Sequence, residues 1–96
     1  MTRGPKIVTA LDPATLRWVA EHQDVEAERC ERIADQMEHW RLEEVGKIEP
    51  DVEAAGRAAA SRDAWSLDGH KHRDRAKWAR ACASRIERYR RERVRK

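Results

Sequence analysis

The sequence predicts an all-α protein, a long antiparallel helical hairpin of coiled-coil type, with a three-helix bundle broken near Gly69 as the alternative. Three observations predict it. Between Leu16 and Trp40 a heptad places Leu16, Gln23, Cys30 and Met37 at a, and Val19, Glu26, Ile33 and Trp40 at d. Ala20, Ala27 and Ala34 stand beside them at e. From Ala14 to Val45 there is no Gly, no Pro and no cluster of turn residues. When the second half is folded back about residue 48, large residues face small ones, as antiparallel helices require.

Taken in order, residues 1–11 read as a basic extended arm, with Arg3, Lys6 and a β-prone run at Ile7–Leu11 that would need a partner strand. Asp12 and Pro13 open a helix: the aspartate accepts from orphan N–H groups, and proline at the first helical position loses no needed donor. That helix runs 13–45, roughly 50 Å at 1.5 Å per residue. Gly46 ends it, where a left-handed cap is wanted. The connector is 46–50, with Ile48 as an apolar plug.

The second helix is expected over 51–95, opened by Pro50, Asp51 and Glu53 with acids at its positive end. It carries a narrow stripe of small residues through Val52, Ala55, Gly56, Ala59, Ala60 and Ala64. Asp68-Gly69 is a turn signal, so a break is expected at 66–69 if anywhere. The period returns with Ala76, Ala79, Cys82, Ala83, Ile86 and Tyr89. In the hairpin register Trp40 faces Gly56 and Arg57, Ile33 faces Ala64 and Trp65, Cys30 faces Leu67, and Trp18 faces Trp78 and Ala79. The polar Gln23 and Glu26 then pair with Asp74 and with Arg75 or Lys71.

Composition limits the core. The chain has 96 residues, 40% apolar against 41% charged, with no Phe and fifteen Ala. One domain at most is expected, and paired long helices suit so few large apolar side chains better than a globule. The charge fraction fits a disordered chain as well, but four Trp and a sustained period argue for packing. No bilayer-spanning run and no secretory apolar region occurs, so the expectation is a cytoplasmic protein. Cys30 and Cys82 lie about 22 Å apart in the hairpin register, so they are expected as small core residues and not as a disulfide.

The net charge of +3 conceals segregation. Residues 12–53 carry thirteen acidic and five basic side chains, while residues 54–96 carry five acidic and fourteen basic. Asp24, Glu28, Glu31, Asp35 and Glu38, together with Glu21, form an acidic strip behind the apolar stripe. Arg73, Lys77, Arg80, Arg88, Arg91 and Arg95 form a basic one. Like charges at i,i+3 and i,i+4 cost the isolated helix a few tenths of a kcal/mol per pair, about 0.2–0.5. A face that accepts such repulsion is expected to meet a partner of opposite sign, and one chain carries both strips.

These strips are the candidate partner-binding faces, with Trp18 and Trp78 as exposed aromatic anchors. The expected function is a non-enzymatic interaction or assembly module that docks on a protein partner or on itself, making a homo-oligomer. Nucleic-acid binding by the Arg-rich C-terminal helix is the second reading, since residues 70–96 hold twelve basic and three acidic residues. An inhibitor whose acidic face imitates phosphate is the third. Neither a helix-turn-helix at Gly69 nor a ribbon-helix-helix fits the pattern. His70-Lys71-His72 is the only metal-like cluster, and residues two apart on a helix diverge. No nucleophile–base set and no phosphate loop occurs. The sequence thus predicts no enzyme, cofactor, metal, small-molecule substrate or membrane partner. Sixteen Arg against five Lys, with the alanine content, fit a GC-rich bacterial or phage genome.

Overall fold

A computed structural model describes residues 12–95, short of the Arg95 side chain. The basic arm 1–11 and the strand considered at Ile7–Leu11 lie outside the described residues. The fold is an antiparallel hairpin of two helices, α1 (Pro13–Val45) and α2 (Val52–Arg95), with no strand among the described residues.

The helix ends follow local chemistry. At the start of α1, the Leu16 N–H donates to the Asp12 carbonyl at 3.0 Å, and the Thr15 hydroxyl meets the Asp12 carboxylate at 3.2 Å. Asp51 caps α2: its carboxylate accepts from the Ala54 N–H and its carbonyl from the Ala55 N–H, both at 3.0 Å. The expected start at Asp51 moves by one, because the residue that caps stands outside the helix it opens.

Two expectations for the connector are corrected. Gly46 forms no left-handed cap, since no described residue has positive φ. Its N–H instead continues the helix to the Leu42 carbonyl at 3.1 Å, and Lys47 closes a tighter turn on Glu44 at 3.3 Å. A Cβ on Gly46 would crowd the Leu42 carbonyl at 3.3 Å, which is why glycine suits the position. Ile48 is no plug; it is fully exposed. The connector is held by polar contacts, with the Glu44 carboxylate accepting from Lys47 Nζ at 2.8 Å and from the Asp51 N–H at 3.1 Å. Lys47, then the Asp51 N–H, hold the Glu44 carboxyl below its usual range.

The expected break at 66–69 does not occur: α2 is helical through Asp68 and Gly69, and the three-helix alternative falls with it. The reason is tertiary. Ala55, Ala58, Arg62, Trp65, Gly69, His72, Ala76, Ala79, Ala83 and Ile86 form an uninterrupted 3–4 series, every member of which is buried or half-buried. Gly69 is a packing residue in that series. A Cβ there would come 3.5 Å from Cys30 Cβ and 3.6 Å from the Ala27 carbonyl oxygen.

The chain divides into two compact units. The terminal unit takes residues up to Asp24 and from Arg73, and the loop unit is Val25–His72. In the terminal unit Leu16, Ala20, Ala76, Ala79, Cys82, Ala83 and Ile86 form one buried cluster, with Val19 packed on it. In the loop unit the buried apolar residues are Ala27, Cys30, Ala34 and Ala55, so no buried side chain there is larger than cysteine.

On α1 the seam therefore runs along a and e. The d positions Val19, Glu26 and Ile33 are half-buried and Trp40 is exposed. Several expected partners shift accordingly. Trp40 sits with Arg57 and Ala58, while Gly56 faces open space instead of making room for the indole. Ala64 and Leu67 are exposed, and Gly69 takes the place against Cys30 expected for Leu67.

Candidate interaction surface

One flank of the seam carries ions. On α1, Arg17, Asp24, Glu31 and Glu38 are spaced by seven, and on α2 so are Arg73, Arg80 and Glu87. In the terminal unit Asp24 accepts from Arg80 and, at 3.3 Å, from Arg73; Arg17 pairs with Glu87. The Arg80 hydrogen bond, with that of Arg73 behind it, outweighs desolvation and holds the Asp24 carboxyl below its usual range.

In the loop unit one carboxylate serves two guanidinium groups. Arg41 Nε donates to both Glu38 oxygens, at 3.1 and 3.0 Å, and Arg62 reaches the same carboxylate from α2. Arg62 Nε also meets Asp63 at 3.1 Å. Arg41, then Arg62, draw the Glu38 pKa down to about 2. Arg62 falls in the column of Ala55, Gly69 and Ala76, and Arg41 in that of Ala20, Ala27 and Ala34. Glu38 neutralises the two places where charge enters a seam of small residues.

The acidic strip is thus not wholly an outward face. Asp24 and Glu38 lie beside the seam and are bound within the chain, because the seam at a and e turns their column inward. Glu28 and Asp35 are exposed; Glu31, also exposed, has its Cγ 3.6 Å from where a Gly69 Cβ would stand. Of the basic strip, Arg73 and Arg80 are drawn to Asp24, whereas Lys77, Arg88 and Arg91 are exposed. The Arg95 side chain lies outside the described residues. Trp18 and Trp78 are both exposed, and Trp18 stacks on His22 with centroids 5.6 Å apart.

Sequence reasoning missed an apolar surface on the loop unit. Met37, Trp40, Ala54 and Ala58, with Glu44, Arg57 and Ser61, line an open groove of about 360 Å³. Leu42, Val45, Ile48, Val52 and Leu67 are exposed in the same unit. In the terminal unit Tyr89 is exposed, with the Arg93 guanidinium 5.9 Å from its ring centre. The signal was present in the sequence: once the seam is assigned to a and e, the d column and its Trp40 are left at the edge.

Cys30 and Cys82 are free and buried. His70 and His72 lie on unbroken helix, and among the described residues no group of three His, Cys, Asp or Glu side chains could hold a metal. Among the same residues no helix is long and apolar enough to cross a membrane. No family model, no curated protein and no solved structure matches the chain.

Proposed function

We propose that the chain is a non-enzymatic assembly module that docks on a protein partner or a second copy through apolar side chains which its own hairpin leaves outside. One observation carries this reading. Among the described residues, seven of eleven buried apolar residues are alanine, while eleven large apolar side chains, among them Trp18, Trp40 and Trp78, are exposed. Burying a large side chain is worth about 1.5–3 kcal/mol, so the stabilising potential of this sequence lies mainly on its surface. Large apolar side chains left exposed beside a groove, as Leu42, Val45 and Val52 are in the loop unit, suit a contact site. The outward charges, Glu28 and Asp35 on one helix and Lys77, Arg88 and Arg91 on the other, would orient the partner more than hold it.

Thermal unfolding over a wide range of protein concentration tests the reading. Self-assembly makes the melting temperature rise with concentration. A concentration-independent monomer that also retains no host protein on an affinity column would defeat it.

A second reading has its own support. Arg85, Arg88, Arg90, Arg91 and Arg93 are all exposed near the end of α2, beside Tyr89, a combination suited to phosphates and stacked bases. It predicts a gel shift with duplex DNA whose log affinity falls with log salt. The phosphate-mimic reading loses support, because Asp24 and Glu38 are already neutralised by arginines.

A further inference from the structure

We infer that the groove on the loop unit receives the terminal unit of a second copy, two chains docking reciprocally. The inference rests on the assembly reading and names its partner.

The charges point to this occupant. Over Val25–His72 twelve acidic and seven basic side chains leave −5. Over residues 1–24 and 73–96 six acidic and fourteen basic leave +8. The sequence halves suggested segregation along the chain; the fold assigns it to the two compact units with surpluses of opposite sign. Like units of two copies repel, and unlike units attract. The reciprocal arrangement satisfies both at once, and an isologous pair closes without leaving an open site.

The apolar parts match as well. On the loop unit Ala54, Ser61 and Asp68 are seven apart, so the exposed Asp68 continues the face of α2 that lines the groove. Glu43, also exposed, follows Trp40 by three and meets only His39 of its own helix, at 3.0 Å, among the ion pairs of the described residues. On the terminal unit the exposed Arg75 precedes Tyr89 by two heptads, and the exposed Arg85 follows Trp78 by one. One unit therefore offers a tryptophan-bearing groove that holds Glu44 and Arg57 and is flanked by Glu43 and Asp68, the other exposed aromatics flanked by arginines. These four charged positions are distinct from Asp24, Glu38, Arg62, Arg73 and Arg80, which answer one another inside the hairpin. Duplex DNA would match only the terminal unit and would be repelled by the other.

A charge swap tests the pairing on the full chain. Sedimentation equilibrium should give a dimer for the wild type, loosened about tenfold or more between about 0.1 M and 1 M salt as the Debye length falls from about 10 to 3 Å. Arg75→Glu/Arg85→Glu and Glu43→Lys/Asp68→Lys should each sediment as monomers with unchanged helical circular dichroism. Mixed in equal amounts, they should form a heterodimer.

If each variant alone dimerises like the wild type, reciprocal charge-directed docking is overturned while apolar assembly stands. A mixture that stays monomeric overturns it too. A wild type that is monomeric at every concentration removes this pairing, and a host partner captured by that monomer would leave the assembly reading in place; a DNA shift by it would favour the nucleic-acid reading. Should a variant lose its helical signal, wild-type association unchanged by salt decides against the pairing.

Discussion

Gly69 of α2 stands so close to Cys30 of α1 that a Cβ added to the glycine would lie 3.5 Å from the Cys30 Cβ. That is ordinary van der Waals contact, and the Gly69 backbone has no positive φ. Gly69→Ala should therefore raise stability by about 0.5–1 kcal/mol, the helix-interior difference between the two residues. Gly56→Ala, with nothing within 4 Å of the new Cβ, should gain as much and serves as the unpacked control. Gly69→Leu would drive its extra carbons towards Cys30 and Glu31 and should cost about 1–3 kcal/mol. Urea midpoints of the three variants check this; a Gly69→Ala variant as weak as the leucine one would show that the helices leave no room for a Cβ beside Cys30.

Gly69 also shows where the sequence was legible and where it was not. Helix starts were readable because N-caps are local: Asp12-Pro13 and Asp51 act where they stand in the chain. The register was nearly readable as well. Gln23 was expected opposite Asp74, and the structure pairs the neighbouring Asp24 with Arg73. Asp68-Gly69 misled because the dipeptide signals a turn locally, while the seven-residue column Ala55, Arg62, Gly69, Ala76, Ala83 exists only once a partner helix is in place. The charged strips misled for a related reason. Which flank faces inward depends on whether the seam follows d or e, and moving it to e turned Asp24 and Glu38 from an outer face into ion pairs with α2.

Glu38 makes acid sensitivity predictable. Its pKa falls from the usual 4.5 to about 2 in the fold, with Arg41 the leading cause and Arg62 next. A carboxyl depressed by folding contributes stability that is complete above its unfolded value and is lost as pH falls through the folded one. The contribution should fade between pH 4.5 and about 2. Asp24 and Glu44 shift in the same direction. Glu38→Gln should lower the melting temperature at neutral pH, and its deficit against wild type should shrink across that acid window. Parallel curves for the two proteins down to pH 2 would refute the coupling.

Leu16 and Ile86 are the only buried side chains of the terminal cluster larger than cysteine. Truncating either to alanine removes several methylenes from a site whose neighbours are mostly alanines. Leu16→Ala or Ile86→Ala should each cost about 2–4 kcal/mol, whereas Val94→Ala, at an exposed position, should stay within about 0.5 kcal/mol. Denaturant unfolding separates them; equal effects at all three sites would mean that the cluster does not hold the unit.

The two cysteines report on the units separately. Cys82 is buried with Leu16 and Ile86, whereas Cys30 is buried among alanines and Gly69, with no larger buried side chain in its unit. Local opening costs less where less apolar surface is covered, so the loop unit should open more readily. Under native conditions a small alkylating reagent should label Cys30 faster than Cys82, and mass spectrometry of the digested protein resolves the two peptides. In denaturant both should label at one rate. Faster labelling of Cys82 would place the weaker packing in the terminal unit and contradict the cores described for both.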